Sequence, residues 1–571
     1  MSNRRCLTTL VATAAAAGLG AGLLAAAPAL ADVPDTELHD GFLIRVGNAV
    51  GPVWDSTPAV TYSGAGDVNG DGFDDMVLGT PGTDDGVGVW SGAAYVVFGG
   101  GTDPVDVTAL GSRGFRIDGA DKYTNTGSGV ASAGDVNGDG YDDVLIGAPG
   151  SANNNRVYSG SAYVVFGGPD TDTVDLADLG DRGFRIDGAT GSDRIGTVVD
   201  RAGDVNGDGF DDVLLSIWRA PISIEGTGTT TRYVVLGGPG STTVDLAELG
   251  SRGFRISNTD GSNSYLPIQA AAGDINRDGF DDLVFKSPSA SSSVPYASDS
   301  TIVLGGPTSD VDLADLGDRG FRIDGAAPYV YLRSVAGAGD VNGDGVDDLV
   351  LGWQARFGNA YTSYVVFGGR TGALDLQNPG ERAVTLAGLA AGVPGDVDGD
   401  GVDDLLVTEP RGVDDRMVFG SSSPATVGGR KVRLDGTGWK AAGGDVNGDG
   451  HADLIALINY RSKRLFVTFG GPPTTLRVTA RKKAKKVRRT GRTRIVRRIT
   501  VGEGQAARTT VTVEPKKAGK KVKVKQTKRR VEVRTKKAPK KLRKKIRVRV
   551  RIVSHGTGHL TTTWVRTWRV R

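Results

Sequence analysis

A nine-residue phrase rich in acidic residues occurs seven times in this 571-residue chain, with the pattern Asp-x-Asn/Asp-x-Asp-Gly-x-x-Asp. The seven copies start at Asp67, Asp135, Asp204, Asp274, Asp340, Asp396 and Asp445. Oxygen atoms at alternate positions of a tight loop, with glycine at the sixth position, are the arrangement that binds Ca²⁺. Asp, Asn and Gly also form ordinary turns, but turn formation does not explain one spacing kept in seven copies. The phrase therefore predicts up to seven structural Ca²⁺ sites.

The predicted ligands stand at positions 1, 3, 5, 7 and 9, with the main-chain carbonyl used at position 7. They are Asp67, Asn69, Asp71, Phe73, Asp75, Asp135, Asn137, Asp139, Tyr141, Asp143, Asp204, Asn206, Asp208, Phe210, Asp212, Asp274, Asn276, Asp278, Phe280, Asp282, Asp340, Asn342, Asp344, Val346, Asp348, Asp396, Asp398, Asp400, Val402, Asp404, Asp445, Asn447, Asp449, His451 and Asp453. Arg277 at position 4 and Ala452 at position 8 depart from the phrase at positions that supply no ligand. Mg²⁺ fits less well, because it keeps several of its waters.

The elements around the phrase repeat with it, at steps of 68, 69, 70, 66, 56 and 49 residues. In the second unit a small-residue run (128–134) precedes the phrase and an apolar run (144–148) follows it. A Tyr-Val-Val-Phe-Gly segment from Tyr163 and a Gly-Phe-Arg-Ile-Asp segment from Gly183 come next. Short β-branched and aromatic runs between turn residues indicate strands, here named A, B, C and D. Four-stranded units repeated at this period predict a β-propeller.

The number of D strands indicates how the propeller closes. The predicted D strands are Phe42–Val46, Gly114–Asp118, Gly183–Asp187, Gly253–Ser257, Gly320–Asp324, Ala383–Ala387 and Lys431–Asp435. The first precedes every A strand, whereas the last A-B-C set has no D strand of its own. We expect the N-terminal strand to complete the last blade and leave no free edge. An open solenoid would need capping units that the sequence lacks.

Antiparallel order places the A–B and C–D turns on one face and the B–C and D–A turns on the other. The phrase lies in the A–B turn, so all calcium loops are expected on one face. The five tryptophans before the tail are assigned to B–C or D–A segments: Trp54, Trp90, Trp218, Trp353 and Trp439. Aromatic residues gathered on the loops of one face indicate a ligand surface. Local packing beneath long loops, such as 216–232 and 287–300, is the alternative.

Loop length, hairpin setting and period together resemble the FG-GAP repeat, the unit of the integrin α-subunit propeller. The resemblance covers about residues 41–472, and Gly147-Ala148-Pro149 matches the GAP element of that family. Later blades depart from it, as at 286–288, and the FG element is mostly missing. The resemblance implies seven blades, calcium on the face opposite the ligand-binding one, and an adhesion or ligand-binding role. In the family only some blades carry calcium loops, whereas all seven carry the phrase here.

The first 31 residues have the pattern of an export signal, with Arg4 and Arg5 before an apolar run and an Ala-x-Ala cleavage site at Ala29–Ala31. Sec export and twin-arginine export both remain open. Cys6, the single cysteine, would leave with this segment, so no disulfide is expected. No later apolar run is long enough to span a bilayer. We therefore expect a secreted or surface-associated protein whose propeller occupies 32–472.

Residues 473–571 differ sharply from the rest in charge. Of the 68 Lys and Arg residues, 36 lie at or after Leu476, with only three of the 66 acidic residues. The tail thus carries about +33 and the preceding part about −31 at neutral pH. Alternating β-branched runs predict a small β-sandwich-like domain of the immunoglobulin kind. Its positive charge favours attachment to anionic envelope polymers, while export disfavours nucleic acid as the partner.

Residues suited to catalysis are scarce. The four histidines are His39, His451, His555 and His559, and neither a Gly-x-Ser-x-Gly elbow nor a phosphate-binding glycine loop is present. Calcium binding accounts for the abundant acidic pairs. The sequence thus favours an all-β, secreted, calcium-binding propeller that binds a protein or glycan partner, not an enzyme. An extracellular propeller hydrolase or lyase acting on polysaccharide is the alternative.

Overall fold

The structure is a computed structural model of the whole chain. Its described residues are 41–46, 60–83, 89–217, 231–258, 268–288, 298–325, 330–355, 361–408, 415–434, 439–459, 464–471, 476–480, 486–487, 491–501, 506–514, 522–527, 530–535, 547–556 and 559–570. The predicted export signal and most of the two long B–C loops lie outside these residues. Within them the regular structure is β-strand with short 3₁₀ turns.

Thirty-three strands build the propeller, in chain order. They are β1 (Gly41–Arg45), β2 (Thr61–Gly66), β3 (Asp75–Thr80), β4 (Ala93–Val97), β5 (Val105–Asp106), β6 (Gly114–Asp118), β7 (Val130–Gly134), β8 (Asp143–Ala148), β9 (Ser161–Val165), β10 (Val174–Asp175), β11 (Gly183–Asp187), β12 (Val198–Gly203), β13 (Asp212–Ser216), β14 (Arg232–Val235), β15 (Val244–Asp245), β16 (Gly253–Ser257), β17 (Gln269–Gly273), β18 (Asp282–Pro288), β19 (Ser298–Val303), β20 (Val311–Asp312), β21 (Gly320–Asp324), β22 (Val330–Gly339), β23 (Asp348–Ala355), β24 (Tyr361–Val366), β25 (Leu374–Asp375), β26 (Ala383–Ala387), β27 (Leu389–Gly395), β28 (Asp404–Thr408), β29 (Arg416–Val418), β30 (Lys431–Arg433), β31 (Trp439–Gly444), β32 (Asp453–Asn459) and β33 (Arg464–Thr468). Short 3₁₀ turns (107–109, 111–113, 180–182, 246–248, 250–252, 317–319, 380–382 and 424–426) lie in the C–D connections.

The strands form seven sheets, one for each copy of the phrase, and each sheet has four antiparallel strands at its centre. Blade 2 shows the common pattern: β7, β8, β9 and β11 lie side by side in chain order as strands A, B, C and D. Val144 on strand B pairs with Val165 on strand C, and Phe184 on strand D pairs with Val164. The β-branched runs are buried on both faces, because a neighbouring blade covers each side.

The N-terminal strand closes the ring, as predicted. β1 pairs antiparallel with β33 from Gly41 opposite Thr468 to Arg45 opposite Arg464, and supplies strand D of blade 7. Blade 7 therefore joins the two ends of the propeller through main-chain hydrogen bonds. The predicted all-β, seven-bladed propeller closed by an N-terminal strand is confirmed.

A fifth, two-residue strand was not predicted. The Val-Asp step in the C–D connection of one blade pairs in parallel with strand D of the preceding blade, as β10 does with β6. The other pairs of this kind are β5 with β1, β15 with β11, β20 with β16, and β25 with β21. Blades 1 to 5 provide these strands. Blade 6 has a shorter C–D connection, 419–430, in which the structure describes no such strand.

The hydrophobic core lies between blades rather than at one centre. Leu145 and Val164 of blade 2 belong to the same buried cluster as Val213 and Leu215 of blade 3. Each fully buried side chain of this size contributes roughly 1.5–3 kcal/mol to folding. The blades approach so closely that a Cβ at Gly147 would lie 1.9 Å from the carbonyl oxygen of Gly196. This contact gives a steric reason for the glycine of the Gly-Ala-Pro element.

The tail also forms strands, arranged in two four-stranded sheets. These strands are β34 (Leu476–Ala480), β35 (Lys486–Val487), β36 (Gly491–Val501), β37 (Ala506–Glu514), β38 (Val522–Thr527), β39 (Arg530–Thr535), β40 (Arg547–Gly556) and β41 (His559–Val570). One sheet has the order β34-β36-β39-β38 and the other β35-β41-β40-β37. The tail is thus of the predicted all-β class. None of the helices in the described part of the chain has the length and apolar character needed to cross a membrane.

Candidate metal centres and the opposite face

Each copy of the phrase forms the turn between strands A and B of its blade, and we number these loops 1 to 7. Loop 2 begins at Asp135, directly after β7, and ends at Asp143, the first residue of β8. A glycine precedes every loop in a left-handed conformation; Gly134, for example, has φ of +72°. Only glycine adopts this conformation without strain, so it sets the direction in which the chain enters the loop.

The position-1 carboxylate holds each loop in its curve. In loop 1, Asp67 Oδ1 accepts the Asp71 N–H at 3.0 Å and Oδ2 accepts the Gly72 N–H at 2.8 Å. The same two hydrogen bonds occur in all seven loops. In loops 2, 3 and 6 Oδ1 also accepts the N–H of position 4, whereas Oδ2 accepts the one N–H in every loop and keeps a second lone pair that is available for a cation.

Positions 3 and 5 are held together in five loops. In loop 1 the Asn69 side-chain amide donates to Asp71 Oδ2 at 3.0 Å, and its oxygen accepts the Asp71 N–H at 2.9 Å. Loops 2, 3, 4 and 7 repeat both bonds. The loop backbone is therefore shaped by contacts within nine residues.

The position-9 carboxylate is buried in every blade. In loop 2, Asp143 accepts the Val136 N–H at 2.9 Å through Oδ2 and the Gly167 N–H at 2.9 Å through Oδ1. Burial raises the pKa of Asp143 to about 8; the two N–H donors oppose this shift, and the carboxylates of Asp139 and Asp135 add to it. Burial likewise raises the pKa to about 8 in Asp75, Asp212, Asp404 and Asp453, and to about 7 in Asp282 and Asp348.

These loops suit a hard divalent cation. In loop 6, carboxylate oxygens of Asp396, Asp398 and Asp404 lie within 4.8 Å of one another. In loop 7, Asp453 Oδ2 is buried without a hydrogen-bond partner. Like charges held this closely in a buried place repel one another, and a cation with oxygen ligands removes that repulsion. Among the described residues, loop 6 is the loop in which three carboxylates meet at this distance; in the other loops the ligand positions lie along one nine-residue turn, and the role of all seven loops towards Ca²⁺ remains a prediction.

Position 8 has a function that the sequence did not reveal. Asp142 Oδ2 of loop 2 accepts the Asp67 N–H of loop 1 at 2.8 Å, so a carboxylate links one blade to the next. Equivalent links join Asp135 to Asp211, Asp204 to Asp281, Asp274 to Asp347, Asp340 to Asp403, and Asp445 to Asp74. At the remaining junction Ala452 has no carboxylate, and only its N–H bonds the Asp396 carbonyl. The sequence signal that could have indicated this link is the first Asp of the phrase's final Asp-Asp pair, which stands at position 8 and supplies no calcium ligand.

Loops 5 and 6 differ from the other five. Their position-3 side chains, Asn342 and Asp398, are buried, and valine replaces the aromatic or histidine ring at position 7. Asn342 donates to Asp348 Oδ1 at 3.3 Å instead of to the position-5 carboxylate. The structure therefore separates the loops into two classes, one with valine at position 7 and a buried position-3 side chain, the other with a ring at position 7.

The opposite face carries an exposed group of apolar residues. Among the described residues, the large hydrophobic side chains classed as exposed are Val89, Trp90, Tyr123, Val157 and Tyr158, at 39–63% exposure. All five lie in the B–C connections of blades 1 and 2 or in the D–A connection between these two blades. Trp90 and Tyr123 meet edge to face, with ring centroids 6.2 Å apart. We call these five residues the aromatic surface.

The tryptophan prediction has a mixed outcome. Trp90 lies on the aromatic surface. Trp353 does not, and its assignment was wrong: β23 extends further than expected, so Trp353 is an in-strand residue, 3% exposed, with its ring 5.4 Å from that of Tyr364. Trp54 and Trp218 lie outside the described residues. Trp439 is the first residue of β31, and the structure describes its backbone but not its side chain.

Comparison with known proteins agrees with this geometry. The family model of the FG-GAP repeat matches residues 126–165 and 437–468. The first match spans strands A, B and C of blade 2 with its loop, and the second spans the same elements of blade 7. The chain therefore contains FG-GAP repeats, as the sequence predicted.

Two kinds of larger protein are similar to part of the chain. Phosphatidylinositol-glycan-specific phospholipase D of Dictyostelium discoideum is 31% identical over 162 residues, 26% of this chain and 17% of its own length. Integrin alpha pat-2 of Caenorhabditis elegans is 32% identical over 180 residues, 27% of this chain and 13% of its own. The human phospholipase D is 36% identical over 104 residues, 18% of this chain and 12% of its own length. The chain thus aligns with less than a fifth of each relative and resembles integrin α subunits in its FG-GAP repeats.

Proposed function

We propose that this FG-GAP repeat chain is a secreted, calcium-binding β-propeller that binds a protein or glycan partner through its aromatic surface. The observation that carries the proposal is the placement of five exposed large apolar residues on the face opposite the acidic loops. Large exposed apolar groups on loops that a rigid scaffold positions are typical of binding surfaces. The export pattern of residues 1–31 supports secretion.

The backbone of the aromatic surface supports the same conclusion. Trp90, Tyr123 and Tyr158 have φ of +59°, +63° and +54°. Bulky residues rarely adopt this left-handed conformation, which costs about 1–3 kcal/mol each at strained sites. Hydrogen bonds between the connections maintain it: the Tyr123 N–H donates to the Val89 carbonyl, and the Asn125 N–H donates to the Trp90 carbonyl. The fold thus holds these rings in fixed, outward positions.

Truncation of the aromatic surface tests this proposal. We expect Trp90→Ala or Tyr158→Ala to weaken binding about 30-fold, the effect of losing a 2 kcal/mol aromatic anchor. Binding is measured against arrays of purified polysaccharides and extracellular matrix proteins, with Ca²⁺ present. Asp170→Ala, an exposed substitution on a C–D connection, is the matched control and should bind like the wild type. A probe that binds both aromatic variants as tightly as the wild type would place its site elsewhere.

We assign calcium to the seven acidic loops as a structural ion. The oxygen donor set, the buried position-9 carboxylates with raised pKa, and the unpartnered Asp453 oxygen support this assignment. With Ca²⁺ bound, its charge would offset the carboxylates, while position 1 would keep the loop curved and position 8 would keep neighbouring loops joined. The ion would act through stability of the scaffold that presents the aromatic surface.

The basic tail, residues 473–571, is proposed to bind anionic polymers of the cell envelope. Its charge of about +33 supports this role. We expect the full chain to bind dextran sulfate but not neutral dextran, and the affinity to fall steeply between about 50 and 500 mM NaCl because salt screens the attraction. Sedimentation with the labelled polymers measures this. Equal binding to both polymers, or binding that salt does not change, would contradict the proposal.

A further inference from the structure

Loop 6 has one acidic residue more than the other loops. Asp398 stands at position 3, where every other copy has asparagine, so the ligand positions carry four carboxylates instead of three. The Asp398 side chain is 1% exposed. Burial raises its pKa, and nearby Arg430 opposes that shift. An additional buried carboxylate needs a positive partner or it destabilises the fold.

Arg430 is that partner. Its Nη1 lies 2.5 Å from Asp398 Oδ2 and 3.7 Å from Asp400 Oδ2, so one guanidinium group faces the position-3 and position-5 ligands together. The guanidinium also stacks on the Phe419 ring, 4.3 Å from its centroid. Four carboxylates and one guanidinium give loop 6 the same net charge as a loop with three carboxylates.

The other blades use the corresponding arginine differently. Arg113 stacks on Phe42 of the preceding strand D, and Arg182, Arg252 and Arg319 stack in the same way on Phe115, Phe184 and Phe254. Arg382 of blade 5 donates to the carbonyls of Ala373, Arg370 and Gly372. Among these residues Arg430 is the one whose guanidinium pairs with loop carboxylates. The C–D connection of blade 6 is short, and Arg430 lies over Phe419 of its own blade.

We propose that Arg430 is a built-in competitor of calcium at loop 6, which makes this loop the weakest calcium site of the propeller. The inference rests on the proposed calcium binding. Asp398 and Asp400 would be ligands of a divalent ion, and the guanidinium already lies within 3.7 Å of an oxygen of each, so the two positive charges would repel. An adjoining cavity of about 390 Å³, lined by Ser421, Ser422 and Thr426 with Asp400 and Arg430, gives the side chain space to withdraw. Loop 6 would therefore fill last as calcium rises.

The opposite role of Arg430, in which it assists calcium binding, is also testable. If Arg430 only orients Asp398 for the ion, removing the guanidinium lowers the affinity of loop 6. If Arg430 competes, the same change raises it. The sign of the effect therefore distinguishes the two.

The experiment is a calcium titration by calorimetry on the calcium-stripped full chain. Asp400→Ala removes an exposed ligand of loop 6 and so identifies the binding phase that belongs to this loop. We expect Arg430→Met, which keeps an aliphatic stem over Phe419, to tighten that phase about tenfold, equivalent to about 1.4 kcal/mol. Arg430→Lys keeps the charge and should stay near the wild type. Arg382→Met is the matched control in blade 5 and should change nothing.

Each result has a defined meaning. A tenfold tighter phase in Arg430→Met, absent in the Arg430→Lys and Arg382→Met variants, supports competition. An unchanged or weaker phase overturns it while leaving the calcium assignment intact, since the remaining phases persist. Failure of the wild type to bind any Ca²⁺ overturns both the proposed function and this inference. Melting curves of every variant without calcium establish that each is folded.

Discussion

Removal of calcium at pH 8 is expected to lower the melting temperature of this protein sharply, and return of calcium to restore it. Each loop gathers at least three ligand carboxylates, and the one at position 9 is fully buried. A ligand that binds only the folded form stabilises it by about 2.7 kcal/mol per independent site at 100 times its dissociation constant. Two occupied loops would already supply about 5 kcal/mol, comparable to the whole stability of many domains.

The measurement is a thermal melt in calcium, in excess chelator, and in chelator followed by calcium. Magnesium added in place of calcium serves as the control, because it retains its waters and should restore less of the melting temperature. A melt that excess chelator leaves unchanged would rule out calcium as a structural ion of the propeller.

The stripped protein is expected to lose stability as the pH rises from about 5 to about 8. An unfolded aspartate has a pKa near 3.9. In the folded chain, burial raises the pKa of Asp143 and Asp212 to about 8 and that of Asp282 to about 7. Between about pH 4 and pH 8 the folded state therefore binds more protons than the unfolded state. The contribution of these carboxyl groups to stability is greatest below about pH 4 and decreases as the pH rises through 7–8.

Urea denaturation of metal-free protein between pH 5 and pH 8 measures this dependence. Calcium should flatten or reverse it, because the ion binds the deprotonated carboxylates and stabilises the form that high pH produces. Asp143→Asn removes one titrating group and should reduce the slope without abolishing it. A metal-free protein whose free energy of unfolding increases steadily from pH 5 to pH 8 would contradict the assignment of these raised pKa values.

The two proposals for the two faces are separable. Chelation acts on the acidic loops and should reduce binding at the aromatic surface only as far as it loosens the scaffold. Trp90→Ala acts on the aromatic surface and should leave the calcium-dependent part of the melting temperature unchanged. A variant that changes partner binding and the calcium-dependent part of the melting temperature to the same extent would indicate direct coupling between the two faces.

The sequence by itself determined the repeat, the blade number and the closing strand. Seven copies of one phrase, with D strands that begin before the first copy, leave few ways to complete seven sheets, and β1 indeed pairs with β33. The curve of each loop was equally predictable, because the bonds from Asp67 to the N–H groups of Asp71 and Gly72 join residues at most five apart. Hydrogen bonds between residues so close in sequence can be predicted from the sequence, because a single segment contains both partners.

Only the tertiary structure decided the contacts between blades and the burial of particular side chains. The link from Asp142 to Asp67 joins residues 75 apart, and no property of the nine-residue phrase indicates which loop lies beside which carboxylate. The burial of Trp353 depends on the length of β23 and on the neighbouring Tyr364. Arg430 contacts Asp398 of loop 6 from a connection in which the structure describes no short strand of the kind found in blades 1 to 5. These features depend on where separate segments meet in space, and one segment's residue types do not specify that.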